Sequence, residues 1–289
     1  MPKINGLPPD WQRDEFMGLN VAKDRAAHQI VDDPKIFEDP LALRIIGAEA
    51  ESRLRLSFAK FQKAEESAFR AAVAVRNRYA EDELARSIQR GVRQYVILGA
   101  GLDTFAYRNP FPNLRVFEVD HPATQAWKRS CLEKAAIPIP ATVSYVAVDF
   151  ERERLADALR KSGFNSEELA LVSFIGVVRY LRRETLLGVL SSIVSSMRAE
   201  SEVVFDFAPP SQLERLRELA EEVIVNRRSR NSRFRPTYLD VAPLTRDLKR
   251  IGFADVQLVA PKEINARYCK NRTDGLLIRN RMHLIKARV

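Results

Sequence analysis

Residues 95–104 read Tyr-Val-Ile-Leu-Gly-Ala-Gly-Leu-Asp-Thr. A run of strand-forming apolar residues stops at Gly99, and Gly101 lets the backbone turn tightly before the chain continues. Glycines at such a point remove Cβ atoms where a ligand must approach the main chain. About one βα unit later a second strand, Leu114–Val119, ends at Asp120. A carboxylate in that place is suited to accept hydrogen bonds from a ribose diol. The two features together predict a nucleotide-type cofactor held in an α/β domain.

The glycine pattern alone leaves the cofactor open. A dinucleotide site asks for Gly-x-Gly-x-x-Gly, the third glycine allowing close packing of a helix whose N-terminus holds the pyrophosphate. Here the third glycine position is Thr104, and Asp103 would set a negative charge beside a diphosphate. That repulsion argues against NAD and for a cofactor without phosphate, such as S-adenosylmethionine. An ordinary tight βα turn with no ligand is the simpler alternative.

Outward from this stretch, strands and helices alternate. Strand Tyr95–Leu98 leads to a helix near Thr104, and Leu114–Val119 to a helix over Ala123–Ala135. A third strand, Val143–Val148, runs into Asp149-Phe150 and a helix over Arg152–Lys161. Leu169–Val178 reads as a fourth strand, followed by a helix over Arg183–Arg198 with Leu186, Leu190 and Ile193 on one face. A fifth strand, Glu202–Phe207, precedes Pro209-Pro210. Such alternation predicts a doubly wound, mostly parallel sheet with helices on both faces and ligands at the carboxyl ends of its strands. The tail offers helix Leu244–Ile251, then Val256–Val259 and His283–Val289 as an antiparallel strand pair. Residues 10–90 read as helical, broken near Asp33-Pro34 and Asp39-Pro40, with Phe61, Ala64, Ala68, Ala72, Val75 and Tyr79 at helical spacing.

Composition narrows the function classes. The chain has 289 residues, 46% of them hydrophobic, enough for a full core. The longest apolar run, Leu169–Val178, is far below the ~18 residues of a membrane span. The N-terminus lacks a signal-peptide core, Cys131 and Cys269 form no metal pattern, and His28, His121 and His283 lie far apart. A cytoplasmic, metal-free protein is expected. The net charge of +9 is concentrated in the five arginines of residues 227–235 and in the basic tail 262–289. With Phe234 the one aromatic in the arginine cluster, a base-stacking nucleic-acid surface is not indicated, and a solvated loop explains the cluster equally well.

Read as a whole, the chain resembles the leucine carboxyl methyltransferase-like group of class I S-adenosylmethionine-dependent methyltransferases, particularly its bacterial branch of unassigned substrate. Residues 24–42 look like the family's N-terminal segment, Val75-Arg76-Asn77-Arg78 like its Arg-x-Arg signature, and Ile97–Thr104 like its glycine loop. Phe117-Glu118-Val119-Asp120-His121-Pro122, Ala266-Arg267-Tyr268 and Arg272–Leu276 match further elements in order. The resemblance implies a seven-stranded Rossmann-like methyltransferase sheet with an antiparallel C-terminal strand and extra N-terminal helices. Residues 1–90 would form a helical cap on the same domain, and 91–289 a core with an insert around 209–243.

By the same resemblance, Gly99, Ala100 and Gly101 would pass under the methionine part of S-adenosylmethionine, and Asp120, beside His121, would hold the ribose. Asp149 would accept from the adenine amine with Phe150 near the ring, Arg76 would pair with the cofactor carboxylate, and Ile175 and Gly176 would face the methionine end. The simpler alternative for each taken singly is that Asp120 and Asp149 are turn or helix-cap residues and Arg76 a surface helix charge. One departure stands out: Ile175 occupies a position where the family usually has glutamate, and Arg179 one that is usually apolar. The site then retains catalysis with changed geometry, binds its cofactor weakly, or is catalytically silent. The activity implied is methyl transfer to a small-molecule carboxylate or acidic hydroxyl, leaving S-adenosylhomocysteine. Arg179, Tyr180, Arg233, Arg235 and Tyr268 are the candidates to orient the acceptor. A nucleic-acid methyltransferase and an NAD-dependent oxidoreductase are the remaining alternatives.

Overall fold

The computed structural model describes residues 11–57, 64–216, 236–279 and 281–289, and in it the alternation becomes one seven-stranded sheet. Its strands are β1 (Gln94–Leu98), β2 (Arg115–Asp120), β3 (Val143–Ala147), β4 (Ala170–Phe174), β5 (Glu202–Phe207), β6 (Asp255–Val259) and β7 (His283–Arg288). Their order is β3-β2-β1-β4-β5-β7-β6. The first five strands pair in parallel, whereas β7 runs antiparallel to both β5 and β6. Among the described residues the helices are α1 (Trp11–Val31), α2 (Ala42–Ile46), α3 (Ala48–Leu56), α4 (Ala64–Gln89), α5 (Phe105–Arg108), α6 (Pro122–Lys134), α7 (Leu155–Lys161), α8 (Arg183–Ser196), α9 (Val241–Ile251) and α10 (Pro261–Tyr268).

Every residue of β1 and β4 is buried. Strands covered on both faces carry near-continuous apolar runs rather than alternating ones, which is why 95–98 and 170–174 look so uniform. The strand period of two divides those runs between two cores. Val96, Leu98, Val172 and Phe174 pack with Leu186, Leu190 and Ile193 of α8 on one side. Tyr95, Ile97 and Leu171 pack with Ala72, Val75, Tyr79 and Leu84 of α4 on the other. A third cluster joins Ala22 and Ala26 of α1 to Ile45, Leu54, Leu102 and Leu132, seating the N-terminal helices on the glycine turn and α6.

The chain leaves β1 for β2 and β3 on one side and returns to β4 and β5 on the other. The crevice where strand order reverses therefore lies at the carboxyl ends of β1 and β4.

Two boundaries and one helix depart from the sequence expectation where they bear on the site or the tail. The fourth strand ends at Phe174 rather than Val178, because Gly176 turns the backbone at φ +75° and residues 178–180 form a 3-10 turn. The helix after β3 starts at Leu155 rather than Arg152. Residues 150–153 instead wind around Asp149, whose Oδ1 accepts from Glu151 N while its own N–H donates to Glu153 Oε2. Helix α10, opened by Pro261, has no counterpart in the sequence reading. The breaks at Asp33 and Asp39 fall between α1 and α2. Of the apolar series of α4, Ala68, Ala72, Val75 and Tyr79 are buried, while Phe61 and the side chain of Ala64 lie outside the described residues.

Candidate functional site

A cavity of about 350 Å³ opens in that crevice. Gly99, Ala100 and Gly101 line it from the turn after β1, Asp120 and His121 from the end of β2, and Asp149 and Phe150 from the end of β3. Ile175 and Gly176 follow β4, and Arg76 reaches in from α4. Gly18, Val21, Ala22 and Arg25 of α1 form the opposite wall. Tyr180 also lines the cavity, whereas Arg179 and Tyr268 are not among its lining residues. The Tyr268 hydroxyl instead donates to Asp82 Oδ2 at 3.1 Å. Arg233 and Arg235, with the rest of the arginine cluster at 227–235, lie outside the described residues.

The glycine turn is fixed by a close approach. Gly99 has φ +65°, and a Cβ on it would sit 2.4 Å from Val177 Cγ2. Both the left-handed backbone and the contact exclude a side chain. Gly99→Ala is expected to lower stability by about 2–4 kcal/mol, the overlap adding to the backbone strain. Adding Val177→Ala should recover only the part due to overlap, which thermal melts of the single and double variants would resolve.

Asp120 ties this turn to the second strand. Its Oδ2 accepts from Gly101 N and its Oδ1 from His121 N, each at 2.7 Å. Burial pushes its carboxyl above the ordinary range, and the two backbone donors only partly offset that. His121 is held below its ordinary value, chiefly by burial, so its ring is neutral at pH 7. It caps α6, with Ala123 N donating to Nδ1 and Pro122 in the first turn.

On the β4 side a cation lies against a glycine. A Cβ on Gly176 would come within 2.6 Å of Arg76 Nη2. The Arg76 side chain is 8% exposed, its Nη1 is 3.5 Å from Asp206 Oδ2, and its Nε is buried without a hydrogen-bond partner among the described residues. Asp206, from β5, also accepts from Gly176 N at 2.5 Å through Oδ1. Ile175 faces the same space and packs partly against the α4 core.

Beneath the turn lie charges that no sequence pattern groups together. Arg25 pairs with Asp39 at 2.8 Å and donates to Leu102 O; Thr104 Oγ1 donates to Asp39 Oδ2 at 2.6 Å. Arg108 grips Glu81 with two N–H groups, although burial still raises the Glu81 carboxyl. Behind the turn, fully buried Lys128 donates to Glu118 Oε1 at 2.8 Å, and Tyr107 donates to Glu118 Oε2 at 2.8 Å. His28 lies away from the cavity. Its Nδ1 is 2.7 Å from Asp32 Oδ2, and its Nε2 accepts from Ile36 N and Phe37 N. Some of these partners are distant in sequence, Arg25 and Leu102 by 77 residues, Asp39 and Thr104 by 65 and Glu81 and Arg108 by 27, which no local pattern encodes; the i,i+4 pair His28/Asp32 was within reach of helical spacing.

Comparison with known proteins adds three findings. The family model for leucine carboxyl methyltransferase matches residues 18–194, a span that holds all ten cofactor-site candidates. Two relatives carry the name "Putative S-adenosyl-L-methionine-dependent methyltransferase". YktD of Bacillus subtilis is 33% identical over 217 residues, 72% of this chain and 69% of the relative. A Mycobacteroides abscessus protein is 32% identical over 204 residues, 70% and 67% of the two chains. Among solved structures, a DUF574 family protein from Streptomyces avermitilis shares the fold, with a TM-score of 0.52 at 14% identity over 85% of this chain and 94% of that one.

Proposed function

Since the chain belongs to the leucine carboxyl methyltransferase family of S-adenosylmethionine-dependent methyltransferases, we propose that it methylates an oxygen of a small-molecule carboxylate or acidic hydroxyl. The observation that carries this reading is the arrangement around the cavity. It pairs a buried guanidinium lacking a full set of partners among the described residues with a half-buried carboxylate at the end of β2.

The cofactor fits these residues. A carboxylate beside Arg76 would satisfy the donors that the protein leaves open, in the geometry guanidinium groups favour. The glycine turn leaves room for a ligand to pass against the backbone, and a phosphate-bearing cofactor would meet Asp103, which also lines the cavity. Asp120 would hold the ribose hydroxyls beside neutral His121, and Asp149 would accept from the adenine amine with Phe150 along the ring. Ala100, Ile175 and Gly176 would wall the methionine end. When bound, S-adenosylmethionine supplies an electrophilic methyl group on a positively charged sulfur.

An ionised oxygen acceptor suits the residues present, with His121 kept for the ribose. Arg25 and Glu81 are engaged by Asp39 and Arg108. His28 has both ring nitrogens occupied and lies away from the cavity, so it is no base. A carboxylate, already ionised at neutral pH, needs orientation rather than deprotonation. Tyr180 on the cavity wall serves that orientation, with Arg179 next to it in the chain. Ile175 is the one ground for a catalytically silent protein; the unsatisfied Arg76 argues for a working cofactor site.

The test is transfer of a labelled methyl group from S-adenosylmethionine to a panel of carboxylic acids, phenols and amines. The label is expected on oxygen: a carboxylate product releases it as methanol in mild alkali, as a methyl ester requires, and an acidic hydroxyl keeps it as an alkali-stable ether. Label stable to alkali on an amine would overturn the oxygen assignment.

A further inference from the structure

We infer that Asp206 is the positioning residue that aims Arg76 at the amino-acid end of the cofactor, an inference that rests on the cofactor reading above. Asp206 projects from the carboxyl end of β5 and is not itself among the residues lining the cavity. Its two oxygens serve different elements. Oδ1 takes the N–H of Gly176 at 2.5 Å, fixing the turn after β4, and Oδ2 faces Arg76 Nη1 from α4 at 3.5 Å. One carboxylate thus joins β5, the β4 turn and the long helix at the point where all three meet the cavity.

The charges require this arrangement. Arg76 is nearly buried, and a buried guanidinium without a counter-charge is strongly disfavoured. Asp206 supplies that charge, but only through a long contact to one nitrogen, while Nε finds no partner among the described residues and Nη2 lies along Gly176. The guanidinium is therefore neutralised without being saturated, and its remaining N–H groups stay open for a second carboxylate. Gly176 completes the device. At φ +75°, with no side chain, it lets the guanidinium lie flat against the turn that Asp206 holds.

Sequence position gives no hint of this role. Asp206 sits in Val-Val-Phe-Asp-Phe, where a lone acid in a strand end reads as solvent-facing, and its partners are 30 and 130 residues away.

The test uses two ligands, S-adenosylhomocysteine and 5′-methylthioadenosine, which share the adenosine and sulfur and differ in the amino-acid group. Both would be titrated calorimetrically into wild type, Asp206→Asn, Asp206→Ala and Arg76→Gln. Asparagine keeps an acceptor for Gly176 N but removes the charge facing Arg76; alanine removes both. S-adenosylhomocysteine is expected to bind Asp206→Asn roughly tenfold more weakly and Asp206→Ala more weakly again, as loss of charge-assisted aim implies. Methylthioadenosine should bind all four proteins alike, which also reports that the variants are folded. Equal weakening of both ligands in the Asp206 variants, or no weakening of either, would overturn the positioning role. Should Arg76→Gln leave the preference for S-adenosylhomocysteine intact, the assignment of Arg76 itself fails, whatever the Asp206 variants do.

Discussion

Asp120→Ala is expected to weaken S-adenosylmethionine binding at least a hundredfold and to leave the protein folded. The carboxylate does two things that alanine cannot. It holds Gly101 N and His121 N at 2.7 Å, setting the turn against the end of β2, and it presents acceptor lone pairs toward the cavity. Hydrogen bonds to a charged group contribute about 1.5–3 kcal/mol each, so losing those to a ribose diol amounts to about 3 kcal/mol, or a factor above one hundred. The same residue sets a pH dependence. Its carboxyl is raised by burial, so it takes up a proton at a higher pH than a free aspartate does. A protonated oxygen would confront donors with a donor, and affinity should fall as pH drops through the raised value. For folding the sign is opposite. A raised native-state value means that the folded form binds the proton more readily, so the ionised group costs stability at neutral pH and that cost is relieved on acidification. Calorimetric titrations and melts from pH 5 to 8 would separate the two trends, and a variant that kept wild-type affinity would remove Asp120 from the site.

Lys128→Met should destabilise the protein by about 3–5 kcal/mol, lowering its melting temperature by about 10 °C. Lys128 and Glu118 are buried together behind the glycine turn, with Tyr107 donating to the second carboxylate oxygen. Removing the cation leaves Glu118 charged in an apolar surround, where burial already raises its carboxyl against the pull of Lys128. The native protein then has to protonate Glu118 or admit water. Replacing both partners, Lys128→Met with Glu118→Gln, should recover most of the loss, because the penalty comes from the uncompensated charge rather than from a missing attraction. If the double variant melted no higher than the single one, the pair would owe its importance to shape instead.

What the sequence revealed and what it withheld follow physical lines. The ends of the second and third strands were legible because a parallel strand reads as an apolar run, and Asp120 and Asp149 at those ends are by topology residues of the crevice. Gly176 instead fell inside the expected fourth strand and was singled out by likeness to a family. Arg76 was no more legible. On a helix every residue type is tolerated outward, and only likeness to a family singled it out. Tyr268 and Arg179 show the limit in the other direction. Both belong to motifs near the site, yet Tyr268 donates to Asp82 of α4 and is not among the cavity's lining residues, and in the 3-10 turn Tyr180 rather than Arg179 reaches the cavity wall. Asp206 and the Arg25–Asp39–Thr104 network were invisible because their meaning lies in partners distant in sequence. The arginine cluster and the insert around 209–243 fall largely outside the described residues, so their part in acceptor choice is a matter for the labelled-methyl assay.

The placement of β7 has a consequence for how the protein is made. Residues 283–288 insert between β5 and β6, with Glu202 opposite Arg288 and Phe207 opposite His283. Until those residues leave the ribosome, Val203, Val204 and Phe205 present an unpaired apolar edge, and β6 has no neighbour to join. The nascent chain thus carries a sticky half-sheet throughout synthesis of the segment between Phe207 and His283, and a growing chain in that state is a natural client for chaperones. A nonsense codon anywhere in this tail would release that open edge into the cell rather than a slightly shortened enzyme.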